Sequence, residues 1–493
     1  MAPLCSRRTH SYPIDMERHI KHGWLPGLAA LLIGGVVTLS AQDAGVSFIG
    51  FGVIPSTALD KSGLAGKQIC QRDNSSVCID QATLGGLGSG VTYSGFGNIF
   101  LAVPDRGPFD GRTDVPFLDR YHFLNITLTP GAFSDTVPNI KPVLLDTTIL
   151  RNEFAQPLVG DAYAFDTQHP ALTRRFDPEA IAVSPLGTFY ISDEYGPYIR
   201  EFTRSGRLLR RIAVPAKFAL DPVVGNLSGD LDGNGDSVEL STNVTGRQAN
   251  RGMEGLAITP NDRSLVGIMQ NALLQDHGVE IDSTNKVNRV GLNNRILTVD
   301  LLTGRTHEYV YVMDAINQGR GVNDLLAIND HEFLVLERDN RTKHPADPTA
   351  APSSPNLKRL YKIDLAKPGL TDVSGIPSLP KEAIAKTGTL VDGTLVVPVD
   401  KTLVVDLLDA SYKVNATDTI KDIVSEKIEG LAWGPDMKDG RHVLYVFSDN
   451  DLSANPTQIY AFAIDGAVAS VNVKRQAVLL PVFNIFDLLK WSH

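Results

Sequence analysis

Glu179-Ala-Ile-Ala-Val-Ser-Pro185, Glu254-Gly-Leu-Ala-Ile-Thr-Pro260, Asn323-Asp-Leu-Leu-Ala-Ile-Asn329 and Glu429-Gly-Leu-Ala-Trp-Gly-Pro435 are four versions of one phrase. Each sets a polar residue before a short apolar run and closes on a turn. A second apolar run follows and ends in polar groups: Asp193-Glu194, Gln270-Asn271, Glu337-Arg338 and Asp449-Asn450. Short apolar runs bounded by turn residues read as strands. In an antiparallel hairpin, residues equidistant from the turn lie side by side. Glu179 and Asp193 centre on Pro185-Leu186-Gly187, Glu254 and Gln270 on Asn261-Asp262-Arg263. Asn323 and Glu337 centre on Asn329-Asp330-His331, Glu429 and Asp449 on Lys438-Asp439-Gly440. Every repeat therefore sets its polar pair on the same rim.

The pattern extends outward. A divergent fifth hairpin begins near Gly85 and ends at Asp105-Arg106. Third strands are expected at 121–128, 198–203, 294–300, 359–364 and 458–464, and some units show a fourth, as at 208–214 and 307–312. Another strand is expected at 46–54. Three or four antiparallel strands per unit, repeated along one chain, predict an all-β fold, a single β-propeller. Unit starts lie 75, 69 and 106 residues apart. The long interval leaves room for a blade around Thr387 to Leu408. The stretches before Gly85 and after Ile464 leave room for one more, closed by strands from both termini. Six or seven blades are expected. The apolar tail from Val478 to Trp491 reads as a packed closing element, and 340–355 as a surface loop.

The chain has 493 residues, 43% hydrophobic and 21% charged, as in a soluble globular protein. Its 43 glycines and 29 prolines supply many turns. A net charge of −10 disfavours nucleic acid as a partner, because phosphate backbones require basic surface, and favours cation binding. Arg18, Lys21 and His22 precede a mostly apolar stretch from Trp24 to Leu39, followed by Ser40-Ala41. This reads as an export signal over 1–41, leaving a mature domain over 42–493, secreted or periplasmic. Sixteen apolar-rich residues fall short of the roughly 20 that a spanning helix needs, so no stable membrane insertion is expected after cleavage. Cys70 and Cys78 form a short even pair, expected to be a local disulfide in an oxidising compartment.

No Gly-x-Ser-x-Gly elbow, His-Glu-x-x-His zinc motif, phosphate-binding loop or dinucleotide fingerprint is present. Carboxylates, amides and arginines must carry any chemistry. Glu179, Asp193, Glu194, Glu254, Glu337 and Glu429 are the catalytic candidates, and Arg106, Arg251 and Arg338 the phosphate-binding ones. So many like charges on one rim call for a cation, and oxygen donors select calcium or magnesium. Glu179, Glu254, Asn323, Asp324, Glu429 and Asp449 are the expected ligands. Asp230, Asp232, Asn234 and Asp236 alternate in a Gly-rich loop and read as a second, local calcium site without the closing acid of an EF-hand.

Phe176-Asp-Pro-Glu179-Ala-Ile-Ala with Ser192-Asp-Glu-Tyr195, Asn250-Arg-Gly-Met-Glu254-Gly-Leu-Ala, Asn323-Asp with Glu337-Arg-Asp339, and Ile428-Glu-Gly-Leu-Ala432 resemble the phytase-like (esterase-like phytase) family from about Gly85 to Asp465. The resemblance implies a propeller with recurrent Glu and Asp forming a phosphoesterase site. Asp177-Pro178 is similar to one signature of calcium-dependent propeller phytases, but the doubled Asp and the asparagine-rich second signature are absent. The expectation is an exported, monomeric, metal-dependent phosphoric ester hydrolase acting on a small phosphorylated substrate. A lactonase-like metal-dependent propeller and a non-catalytic propeller binding an ion, glycan or protein are the alternatives. Fold alone does not separate them.

Overall fold

A computed structural model describes residues 45–130, 137–161, 164, 174–196, 198–219, 243–284, 286–316, 319–341, 357–412 and 424–471. The repeated phrases form the innermost strands of four-stranded antiparallel sheets, five of which occur among these residues. Blade 1 runs Gly90–Tyr93, Ile99–Val103, Arg120–Leu128, Ile140–Ile149. Blade 2 runs Pro178–Val183, Phe189–Asp193, Tyr198–Phe202, Leu208–Ile212. Blade 3 runs Met253–Ile258, Ser264–Met269, Asn293–Asp300, Thr306–Val312. Blade 4 runs Gly321–Ala327, Glu332–Arg338, Lys358–Asp364, Lys401–Asp406. Blade 5 runs Ile428–Trp433, His442–Ser448, Thr457–Ile464, and takes its outer strand, Val46–Ile54, from the other end of the chain. The innermost strands neighbour one another in sequence order and blade 5 returns to blade 1, so the ring closes. The fold is a β-propeller.

Among the described residues the count is five, where six or seven were expected. The residues assigned to a hidden blade are the outer strand of blade 4 and a two-stranded hairpin, Thr389–Val391 with Thr394–Val396. The strand at 46–54 completes blade 5 rather than starting another, with Val46 opposite Ile464 and Ile54 opposite Thr457. The export signal, the loop from Asp230 to Asp236, and the tail from Val478 to Trp491 lie outside the described residues.

Apolar side chains from adjacent blades pack together, and this blade-to-blade packing is the core. Leu101 and Phe123 of blade 1 meet Ile181 and Ile191 of blade 2. Ile268 and Ile296 of blade 3 meet Leu325 and Val335 of blade 4. Leu334 and Leu360 of blade 4 meet Leu431 and Leu444 of blade 5, and Tyr445 and Phe447 of blade 5 meet Val91 and Phe100 of blade 1. Burying each such side chain contributes about 1.5–3 kcal/mol. The innermost strands approach closely enough that a Cβ on Gly255 would lie 2.7 Å from Leu325 N, and one on Gly430 2.8 Å from Gly88 O. This explains glycine after the acid in two of the repeats.

Cys70 and Cys78 are bonded to each other across the hairpin Gln68–Gln71 and Asn74–Asp80. The hairpin packs through Ile69 against Phe117 and Leu452. Cys70 N–H donates to Asp114 Oδ1 at 2.7 Å, and Arg72 reaches Asp161 at 3.2 Å.

Candidate functional site: an acidic mouth at the start of the innermost strands

The rim pairs do not stand opposite one another as counting implied. In blades 2 to 5 the register slips at the polar residue itself. Pro178, not Glu179, faces Asp193; the slips fall between Met253 and Gly255, Val322 and Asp324, and Ile428 and Gly430. A β-bulge inserts one unpaired residue and re-aims its side chain. Glu254, Asn323 and Glu429 each stand at such a bulge, and Glu179 lies within the blade 2 one.

Glu179 is brought together with two acids from loops and strand ends. Asp177, Glu179 and Glu194 each place a carboxylate oxygen within 4.8 Å of the others, and all three are buried. Burial above all, then Glu254, Asp177, Glu194 and Glu429, pushes the Glu179 carboxyl well above the usual range. Burial likewise pushes Asp177 up to about 7; Arg106 pulls it down and Glu194 adds to the rise. Glu254 is also raised well above the usual range, by burial and then by Glu194 and Glu429. A second group joins Asp105, Asp449 and Asp451. Burial and Asp451 push Asp449 up to about 7. Ser89, on the blade 1 side, donates to Asp449 Oδ2 at 3.0 Å. Both groups consist of oxygen donors crowded beyond what like charges tolerate, the donor set that fits a hard divalent cation.

The arginines divide by partner. Arg106 Nη1 donates to Asp177 at 2.7 Å, to Glu194 at 3.3 Å and to Asn250, and Nη2 reaches Asp110 at 3.2 Å. Burial opposes its charge, but Asp177, Tyr195 and Glu194 outweigh that and raise its pKa. Arg338 is paired with Glu429 and bonded to Asn340. Burial opposes the charge on Glu429, yet Arg338 and Lys427 hold its carboxyl below the usual range. Arg251 differs. Its Nη1 donates to the neutral Gln270 Oε1 at 2.7 Å, and no carboxylate pairs with it among the described residues. Burial first, then neighbouring Arg289, lowers it to about 10.

Most of the other expected site residues are bonded to their neighbours. Asp193 accepts from the Asp177 and Tyr195 backbone N–H groups at 3.1 Å and from Arg200 at 3.2 Å. Glu337 accepts from Tyr311 and Lys401, each at 2.6 Å, and from Asp314 N–H. Asp324 accepts from Leu325 N–H in its own strand and from Leu431 N–H in blade 5, both at 2.7 Å, and so ties two blades. Asn323 is 1% exposed, with neither end of its amide bonded. The four repeat-start residues differ in their bonding: among the described residues Glu179 and Glu254 have no hydrogen-bonding partner, Glu429 is ion-paired with Arg338 and Asn323 is enclosed. Sequence reading missed Asp177, Asp105 and Asp451 as site residues. Asp177 stands two residues before a repeat start and Asp105 follows a second strand, so position relative to the repeat was the available signal.

Backbone strain collects here. Asn250, Asp451 and Leu452 have φ of 51°, 49° and 50°, and Phe109 and Asp110 φ of 61° and 54°. Non-glycine residues in the left-handed region cost about 1 kcal/mol or more and cluster at functional sites.

The chain is 29% identical, over 352 residues, to an uncharacterized secreted protein of Arthroderma benhamiae (strain ATCC MYA-4681 / CBS 112371). That alignment covers 61% of this chain and 64% of the relative, so the chain spans less than two thirds of the relative's length. Among solved structures it is similar to a nidogen/laminin complex at 8% identity and TM-score 0.28, covering 83% of this chain and 90% of that one. A structural genomics protein of unknown function from Bacteroides thetaiotaomicron VPI-5482 gives 10% identity and TM-score 0.28, covering 84% and 76%. Likenesses this weak carry no functional argument. Residues 82–452 match the family described as "Phytase-like: Esterase-like activity of phytase". With well over half its length matched, and with the acids of its repeats gathered at one end of a propeller, the chain belongs to the phytase-like family.

Proposed function

We propose that this protein is an exported, metal-dependent phosphoric ester hydrolase. The observation that supports this best is the triad Asp177, Glu179 and Glu194, whose oxygens lie within 4.8 Å of one another, with Arg251, which pairs with no carboxylate among the described residues, close enough to Glu194 for their charges to interact. The family description and the secreted relative agree with the class and the compartment. No helix among the described residues is long and apolar enough to cross a membrane.

The triad would hold one divalent cation, with calcium the expected ion. Such an ion supplies Lewis acidity that offsets charge on phosphoryl oxygens. The other roles belong to the chain. Arg106 fixes Asp177 and Glu194 in place. Glu254 has no hydrogen-bonding partner among the described residues and stands close enough to Glu179 for their charges to interact. Burial and the neighbouring acids raise its pKa, which strengthens it as a general base that takes the proton of the attacking water and returns it to the leaving alcohol. Arg251 offers its guanidinium to the phosphoryl group.

Metal content and phosphoester turnover, with and without chelator, test this reading in the wild type and in Glu179→Gln and Glu254→Gln. The expected result is loss of both metal and turnover in Glu179→Gln. Glu254→Gln should keep its metal and lose turnover by about 100-fold or more. Full turnover after complete removal of divalent ions would overturn the metal assignment. A wild type that opens lactones and cleaves no phosphoester would overturn the substrate class.

A further inference from the structure

We infer that the propeller carries a second binding site at the far end of its axis, for a small neutral aromatic molecule bearing a hydroxyl group. This site is separate from the acidic mouth and does not rest on the hydrolase reading.

Each innermost strand starts at the mouth and ends in a turn. A cavity of about 130 Å³ lies on the axis, and every one of the five strands contributes to its wall. Val91, Ile181, Leu256, Leu325 and Leu431 give one aliphatic side chain from each. The last four stand two residues past Glu179, Glu254, Asn323 and Glu429, so the cavity lies on the turn side of the acids. Pro260 and Gly434, where the hairpins of blades 3 and 5 turn, line it as well. Asp177, Glu179 and Glu194 do not, nor do Asp105, Asp449 and Asp451. The mouth and the cavity are thus two sites at opposite ends of one set of strands.

Size and lining select the ligand. An apolar cavity of roughly 150 Å³ takes a benzene ring. Trp433 and Tyr93 add aromatic surface, and their polar atoms are already engaged. Trp433 Nε1–H donates to Ala327 O and Tyr93 O–H to Gly97 O, both at 2.8 Å. No Lys or Arg lines the cavity among the described residues, while Asp324 and Asp436 do, which disfavours an anion. Neither acid is available to hold an ammonium group. Asp324 accepts from Leu325 and Leu431 N–H, and Asp436 Oδ1 lies 3.0 Å from His442 Nδ1. His442 supplies the one directional contact. It lines the cavity beside Trp433, their ring centroids 6.3 Å apart. With Asp436 accepting from Nδ1–H, the neutral ring offers Nε2 as an acceptor. Burial lowers the His442 pKa and so favours that neutral form. A ligand hydroxyl donates to Nε2 while the ring that carries it fills the apolar space. Small molecules are held in this way, by a mostly apolar pocket with a few placed polar groups.

The test is calorimetric titration at pH 7 of phenol, toluene, benzoate and benzylamine into wild type, His442→Phe and Ala327→Leu. Wild type should bind phenol saturably, and benzoate and benzylamine about tenfold or more weakly, because a charge would be buried unpaired. His442→Phe removes the acceptor and keeps the bulk. The ratio of phenol to toluene affinity should therefore fall about three- to tenfold in that variant, the loss of one hydrogen bond. Ala327 lines the cavity, so Ala327→Leu adds carbons to the space itself and should weaken phenol and toluene alike. A wild type that binds no phenol, or that binds benzoate or benzylamine more tightly, would overturn the inference and needs no variant to fold. An unchanged phenol-to-toluene ratio in a folded His442→Phe would overturn it too, as would unchanged affinities in a folded Ala327→Leu.

Discussion

Arg106 has hydrogen bonds to Asp177, Glu194, Asp110 and Asn250, which leaves few donors for a ligand. Its effect is on the acids. Removing one partner of a buried ion pair leaves an uncompensated charge and costs about 3–5 kcal/mol. Arg106→Leu should therefore lower stability by about that amount in chelator, and added calcium should restore part of it. Chemical denaturation with and without calcium measures both; equal midpoints for wild type and variant in chelator would remove this role. His122 tests burial from the other side. It is enclosed, with Nδ1 3.0 Å from Thr147 Oγ1, and burial lowers its pKa from 6.5 to about 3. The folded state thus binds a proton less readily than the unfolded one, and the neutral ring's contribution is complete above about pH 6.5 and lost as pH falls toward 3. His122→Gln removes that loss. The stability gap between wild type and variant should shrink by up to about 1.4 kcal/mol per pH unit between pH 6 and 4. A gap that does not change with pH would contradict the assignment.

At the scale of the element, the recurring unit is a hairpin whose first strand carries a bulge at its polar residue. The hairpins and their strands were legible: 46–54 is a strand at the expected residues, and the third strands begin within one residue of expectation. The bulge was not. Counting from a turn assumes one residue opposite one, and a bulge breaks that rule without a mark in composition. Hence Glu179 was placed opposite Asp193, while Asp193 turned away to brace Arg200. Asp177 and Asp105 were missed for a related reason: they lie just outside the strands, and it takes ring closure to bring Asp105 to Asp449. The glycine after the bulge is an element-level constraint. Gly255→Val would set side-chain atoms against Leu325 N and the Asp324 carbonyl carbon, both part of the neighbouring strand's backbone. Overpacking of this kind costs about 1–3 kcal/mol. A thermal midpoint several degrees below wild type is expected; a midpoint at or above wild type would show that the blades can separate there at no cost.

For the whole molecule, repetition was readable, but the number of blades was not. Spacing between repeats cannot distinguish a new blade from an insertion, and the excess residues of blade 4 form a small hairpin and an outer strand. Nor does linear order show that the strand at 46–54 belongs to the last blade. The disulfide hairpin sits beside the mouth through Leu452, next to Asp451. Its closed loop is short, so the bond contributes about 2–3 kcal/mol in the loop-entropy picture. Cys70→Ser with Cys78→Ser should lower stability by about that much while leaving the propeller folded. Circular dichroism and denaturant midpoints measure it, and an unchanged midpoint would count against any stabilising role for the bond.

Blade 5 is sewn from strands that lie some four hundred residues apart in the chain, Val46–Ile54 against Thr457–Ile464. A polypeptide emerges from the ribosome in order, so the earliest of these strands must wait for the last before it has a partner. During that interval an apolar edge is on offer to any other chain, and a contact of such long sequence separation forms slowly. The same seam therefore sets a timetable: maturation ends with ring closure, and every molecule in the queue before that moment is vulnerable to capture by its neighbours. Yield at high expression rates, more than the stability of the finished ring, is where changes to residues 46–54 will be felt first.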